Sequence, residues 1–323
     1  MQTAVVTGGA GFIGSNLCKK LLDDGKKVIC VDNLLTGSKD NITSLLSNPN
    51  FSFIDYDVTK SFEELDKKLP ERVDFVFHLA SPASPNHHSK LSYHALPMET
   101  MMVNTQGTLN MLNIAEKHNS RFLFSSTSET YGDPLEHPQK EEYRGNVSTT
   151  GPRSVYDEAK RFGETLVAYF VREKDLDARI ARIFNTYGPN MLKEDRRMIV
   201  DFINQALEDK PITIFGDGKQ TRSLIYVSDM VDGLVKLMTI DGLKGEIVNL
   251  GSEYEFTVEE YADMVRKLTN SKSEIVHSED LPKDDPLRRR ADISKARRLL
   301  SWEPKVTLEE GLQKLIEYFR ERN

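Results

Sequence analysis

Tyr156 and Lys160 stand four residues apart in "YDEAK" (156–160), which places them on one face of a helix. A free tyrosine ionises near pH 10, too high for a base at neutral pH. An ammonium beside it, with a second positive charge close by, would bring the phenolate toward the working range. "SSTSETYGDP" (125–134) offers the complement. It leaves an apolar strand with four hydroxyl side chains and then a carboxylate, Glu129. Thr127 and Ser128 would face Tyr156 and hydrogen-bond a substrate hydroxyl, with Glu129 following them into the cleft. Alone, each stretch is ordinary: Tyr-x-x-x-Lys occurs by chance on many helices, and hydroxyls often cap a strand end.

The other end of the chain supplies the context. "VTGGAGFIG" (6–14) carries Gly8, Gly11 and Gly14 at a spacing of three, with Phe12 and Ile13 between, directly after the first strand. Glycines there let the backbone turn tightly and approach a pyrophosphate, which the following helix N-terminus attracts. Asp32 ends the second strand, where a carboxylate accepts the adenosine ribose hydroxyls and repels a 2′-phosphate; NAD is expected rather than NADP. Asn33, Thr36 and Gly37 follow it and are assigned to the same cofactor. Asp57 and Val58, after the third strand, are expected at the adenine. "HLAS" (78–81) brings Leu79, Ala80 and Ser81 beneath the nicotinamide half, where Tyr156 and Lys160 would meet it.

These residues need a scaffold. "TAVVT", "KVICVD", "FSFID", "DFVFHLA", "RFLFSS" and "ARIARI" are short apolar runs separated by helical stretches, notably 98–118 and 155–174. Such alternation predicts an α/β protein with a doubly wound parallel sheet (a Rossmann fold). Past Phe184 the elements shorten, so residues 1–184 are read as the dinucleotide-binding domain and 185–323 as a smaller substrate domain, with segments near 222–250 packing back on the first. The 323 residues are 29% charged and 38% hydrophobic, an ordinary globular balance. A net charge of −7 argues against a nucleic-acid partner. Cys18 and Cys30 fall inside element patterns and read as buried thiols. No stretch approaches a membrane span, and a strand opening at Thr3 leaves no room for a signal peptide; a cytoplasmic protein is expected.

The chain resembles the extended short-chain dehydrogenase/reductases and, among them, the UDP-glucuronate decarboxylases. The resemblance rests on "HLASPASP", "STSETYGDP", "GPRSVYDEAKR", "ARIFNTYGP", "QTRSLIYVSDMVDGL", "DDPLRRRADISKA" and "WEPKVTLEEGL". It implies NAD-dependent conversion of UDP-glucuronate to UDP-xylose through a 4-keto sugar, with the hydride returned to C4. It further implies that Thr127, Tyr156 and Lys160 serve hydride transfer, with Glu129 and Arg289 serving the later steps. Asn185 and Arg222 would hold the UDP pyrophosphate, Phe215 would border the uracil, and Tyr93 and Asn104 would contact substrate. A homodimer is implied, paired through the helices at 98–118 and 155–172, whose Leu109, Leu112, Val167 and Phe170 spread apolar surface over more than one face.

Three departures fall in the motifs. The segment before Tyr93 is longer and holds His87 and His88, Met102 replaces a lysine common among relatives, and "RRRAD" stands for Arg-Lys-Pro-Asp. With His94 these histidines suggest a metal, but no ordered ligand set accompanies them in sequence, and none is expected. Competing readings are a nucleotide-sugar 4-epimerase, a 4,6-dehydratase, or a non-catalytic NAD sensor. Ser128 opposes the dehydratase, which would carry an aspartate there. The complete set of Thr127, Tyr156 and Lys160 opposes the sensor.

Overall fold

A computed structural model describes residues 1–282 and 284–322. Six strands follow the predicted runs: β1 (Thr3–Thr7), β2 (Lys27–Asp32), β3 (Phe51–Asp55), β4 (Phe75–His78), β5 (Arg121–Thr127) and β6 (Ala178–Ile183). With Ile247–Leu250 they form one seven-stranded sheet in the order β3-β2-β1-β4-β5-β6-(247–250). Every pairing in it is parallel. Alternate residues of β1 feed two separate cores: Ala4 and Val6 pack on one face of the sheet and Val5 on the other. Burial on both faces is why the strand reads as an unbroken apolar run.

The strand order reverses between β1 and β4, so the crevice for a ligand opens at their C-terminal ends. His78 ends β4 there; burial takes its pKa down to about 3, and the neutral ring bonds Thr7 across the switch point at 2.7 Å. Helix Phe12–Asp23 starts from Gly11 at the same edge.

The helix expected over 98–118 runs from Pro97 to His118, with a π turn at Val103–Gly107 between its α-helical halves. Thr100, Asn104, Thr105 and Thr108 each donate a side-chain hydrogen bond to the carbonyl four residues back. Repeated bonding of that kind competes with the backbone ladder and distorts the helix.

Beyond β6 the elements are short. Helix Val227–Thr239 packs on helix Phe12–Asp23, and Ile247–Leu250 completes the large sheet. Strand Ile212–Phe215 pairs with Ile275–Glu279. Thr221–Arg222 pairs in parallel with Arg288–Arg289, setting Arg222 opposite Arg289. Among the described residues no helix is long and apolar enough to cross a membrane. Cys18 and Cys30 are free and buried, as expected.

Candidate active site

The glycine loop is shaped by contact. Gly8 has φ +67°, and a Cβ on it would stand 2.7 Å from the Ala80 nitrogen. A Cβ on Gly14 would meet the Gly8 carbonyl oxygen at 2.0 Å, so the helix seats against the strand only with glycine there. A cavity of about 290 Å³ runs along this edge, lined by Gly8, Asp32, Asn33, Thr36, Asp57 and Val58 among others. Leu79, Ala80 and Ser81 line it from β4. Tyr56, Val103 and Met102 also line it, and the sequence reading assigned none of them to the cofactor. Asp32 accepts the backbone N–H groups of Ala10 at 2.9 Å and Leu34 at 2.8 Å. A carboxylate has about four acceptor sites, so two remain for ribose hydroxyls. Gly11 and Gly37 line neither this cavity nor the larger one; Gly11 caps the helix, and Gly37 packs on Asp32 and Ala10. The loop, the free helix N-terminus and the ribose acceptor together fit a dinucleotide.

Gly8, Thr36, Leu79 and Ser81 are shared with a second cavity of about 650 Å³, into which Phe12, Ile13 and Gly14 also face. It gathers Tyr93, Thr127, Glu129, Tyr156, Lys160 and Arg289, with Asn185, Phe215 and Arg222 on the C-terminal side. Thr127 shares a hydrogen bond with the Tyr156 phenol and accepts the Glu129 N–H at 3.2 Å. Tyr93 stacks on Tyr156 at 4.9 Å, nearly parallel.

The electrostatics correct one expectation. Lys160 Nζ donates to the Ser125 carbonyl at 2.7 Å and lies 5.8 Å from the centre of the Tyr156 ring. Burial dominates both groups, taking Tyr156 up to about 12 and Lys160 down to about 7. The polypeptide does not itself make the phenolate, because burial outweighs the Thr127 hydrogen bond and the Arg197 charge that favour it.

Two predicted substrate contacts lie elsewhere. Asn104 is fully buried and faces neither cavity; its amide donates to Ser81 Oγ at 2.8 Å. Ser128 faces away from the cavity and accepts from Arg289 at 3.1 Å. β5 ends at Thr127 and a 3-10 turn, Ser128–Tyr131, begins, so neighbouring side chains diverge.

Glu129 is held by two arginines. Arg289 Nη1 lies 2.6 Å from Oε1 and Arg153 Nη2 lies 2.5 Å from Oε2. Their charges outweigh burial and keep this carboxylate well below the usual range. Arg153 also pairs with Asp285 at 3.1 Å, and Asp285 with Arg222 at 2.7 Å. Sequence reading named neither Arg153 nor Asp285. The signal for Arg153 was its place three residues before Tyr156 in "GPRSVYDEAKR". Of the loop histidines, His87 and His88 both turn toward Glu279, while His94 packs at a tilt against Tyr93.

The sequence profile of the NAD dependent epimerase/dehydratase family matches residues 4–251. UDP-glucuronic acid decarboxylase 1 of Arabidopsis thaliana is 48% identical over 318 residues, covering 98% of this chain and 70% of that protein. The Xenopus tropicalis protein of the same name is 46% identical over 316 residues, covering 98% and 72%. Among solved structures, UDP-glucuronic acid 4-epimerase from Bacillus cereus, in complex with UDP-glucuronic acid and NAD, superposes with a TM-score of 0.87. It is 29% identical, and each chain is covered in full. UDP-glucose 4-epimerase from Thermotoga maritima, solved with UDP-glucose, gives 0.88 at 31% identity over 99% of both chains.

Proposed function

The chain belongs to the NAD dependent epimerase/dehydratase family, and within it we propose that this protein decarboxylates UDP-glucuronate to UDP-xylose. The observation that carries the choice is the Glu129–Arg289 pair, 2.6 Å apart in the cavity that also holds Tyr156 and Thr127. Epimerisation at C4 asks only for the phenol and its hydroxyl partner. An acid and a guanidinium beside them serve a sugar whose C5 carboxylate must be held and released.

A C5 carboxylate does not leave while its bonding electrons have nowhere to go. A ketone at C4 makes the sugar a β-keto acid: the C5–C6 bond breaks, carbon dioxide departs, and the electron pair becomes an enolate on the C4 oxygen. Protonation at C5 then restores the ketone. NAD, held along the glycine loop and Asp32, would supply the oxidation and reduction at C4 as a hydride acceptor and donor. As the phenolate, a form that the positive charge of bound NAD would favour, Tyr156 takes the proton of the C4 hydroxyl and gives it back, Thr127 orients that hydroxyl, and Lys160 lies beside the phenol. Arg289 pairs with the substrate carboxylate, which must compete with Glu129 for it. Glu129 and Arg289 then serve the proton returned to C5. Arg222 and Asn185 face the diphosphate and Phe215 the uracil.

We further read residues 1–184 as mainly the NAD-binding domain and 185–323 as mainly the nucleotide-sugar domain, and the protein as a cytoplasmic homodimer. Leu112, Val167 and Phe170 are core residues of the single chain and do not form the pairing face expected of them. Phe162 and Tyr169, seven residues apart on helix Ser154–Glu173, are exposed and support pairing through that helix instead. Light scattering showing only monomer at micromolar concentration would count against the dimer. The reaction is tested by mass spectrometry of products from UDP-glucuronate, UDP-galacturonate, UDP-glucose and dTDP-glucose. Loss of carbon dioxide from the first supports the proposal; a product of unchanged mass that separates from its substrate by chromatography would make the protein an epimerase.

A further inference from the structure

His87, His88 and Glu279 meet at the rim of the large cavity, their ligand-capable atoms all within 4.8 Å of one another. We propose that they bind a divalent transition-metal ion, zinc by preference, and that the ion clasps the loop carrying His87 and His88 to strand Ile275–Glu279. Three arrangements support a built site. His87 and His88 are the central residues of a turn closed by the Ser89 N–H on the Asn86 carbonyl at 3.0 Å, and it sets the two rings 4.0 Å apart with both Nε2 atoms toward one carboxylate. His88 Nε2 is 3.0 Å and 3.2 Å from the Glu279 oxygens, and His87 Nε2 is 3.5 Å from Oε2. Zinc bonds of about 2.0–2.2 Å in tetrahedral geometry require ligand atoms roughly 3.3–3.5 Å apart. Small side-chain rotations reach that spacing.

The backbone also aims Glu279. The pairing of Ile275–Glu279 with Ile212–Phe215 shifts register between His277 and Glu279, and Glu279 comes to sit opposite Phe215. Bulges of this kind re-aim a side chain. On the other bank the histidine loop is fastened by Ser84 Oγ to the Asp195 carbonyl at 2.7 Å and by Ser89 Oγ to the Glu194 carbonyl at 2.6 Å. The set is two imidazoles and one carboxylate, which suits zinc and leaves a fourth position for water. His87 lies 5.8 Å and His88 6.2 Å, ring centre to ring centre, from Phe215, so a bound ion would brace the mouth beside that aromatic. The clasp's effect on nucleotide release rests on the proposed UDP-sugar reading; metal binding does not.

The test uses chelator-stripped full-length protein and zinc chloride in a calorimeter. Wild type and His277→Ala, an exposed neighbour outside the set, should bind one zinc per chain. Affinity should fall in Glu279→Gln by at least the roughly tenfold that even an outer-shell loss costs, and binding should vanish in His87→Ala/His88→Ala. Equal binding in all four overturns the site. UDP release is then followed by stopped-flow displacement with and without zinc. Release should slow several-fold with zinc in wild type and stay unchanged in the double variant. A wild-type rate indifferent to zinc overturns the clasp. Failure of UDP to bind at all would instead strike the nucleotide-sugar reading, leaving the calorimetry to decide the metal site.

Discussion

Arg153 grips Glu129 at 2.5 Å, Nη2 to Oε2, and the same guanidinium reaches Asp285 with Nη1. Arg153 is therefore the middle of an alternating chain, Arg222–Asp285–Arg153–Glu129–Arg289, that runs from the proposed diphosphate end of the cavity to the proposed carboxylate end. A carboxylate shared by two guanidiniums stays ionised at neutral pH. Glu129 gains proton-donating capacity only when one arginine is drawn away, and the substrate carboxylate is the group to do that.

Glu129→Gln removes the charge but keeps the shape, and Arg289→His shortens its partner. Hydride transfer should be impaired but detectable in both, with decarboxylation and proton return affected at least as strongly. A single-turnover experiment with UDP-glucuronate, following NADH absorbance and carbon dioxide separately, reads the two. Wild-type rates in Glu129→Gln would reduce that carboxylate to a polar strand cap.

Tyr156→Phe should abolish oxidation, because nothing remains to take the C4 hydroxyl proton. Thr127→Ala should slow the same step less. It removes one positioning hydrogen bond, on the order of 1–3 kcal/mol when buried, or about 5- to 150-fold in rate. Equal losses in the two variants would show that Thr127 does more than orient.

Burial lowers Lys160 from 10.5 to about 7. Between those values the unfolded chain holds a proton that the folded chain does not, so stability should rise as pH climbs from about 7 toward 10. Lys160→Met should lack that rise. Thermal melts at pH 7 and pH 9 without added NAD measure it; identical pH dependence in the two proteins would mean Lys160 stays charged when folded. Tyr156 acts in the opposite direction, but only above its ordinary value near 10.

Asp32 should exclude NADP. Asp32 is 8% exposed and its carboxylate is fixed by the Ala10 and Leu34 amides, so it cannot swing away from a 2′-phosphate. Fluorescence titration should find NAD bound far more tightly than NADP, and comparable affinities would sink the assignment.

The sheet was legible because burial on both faces forces long apolar runs, and "TAVVT", "KVICVD" and "ARIARI" coincide with strands residue for residue. Tyr156 and Lys160 were legible because a helix converts their spacing into a shared face. Ser128 was misplaced because the reading carried strand geometry one residue too far. Asn104 was misplaced because side-chain bonding opens a π turn that no propensity marks. Asp285 lies 132 residues from Arg153, and Glu279 191 from His88. Those partnerships come from the register of two short strand pairs, which leave almost no periodic signal.

Gly163 gives the helix that carries Tyr156 and Lys160 its clearance. A Cβ there would stand 2.4 Å from the Phe124 ring, so the helix axis lies as near β5 as an unsubstituted backbone permits. Tyr156 sits two turns back along the same rod. One methyl at Gly163 would act as a shim, tilting the rod off the sheet and lifting the phenol from its working depth while every reacting group stayed in the chain. Misplacement of about 1 Å costs roughly 100-fold in rate. Gly163→Ala should therefore lower kcat steeply with Tyr156, Lys160 and Thr127 untouched, and unaltered kcat would show that Phe124 yields instead. The depth of the reacting phenol is gauged by a residue with no side chain.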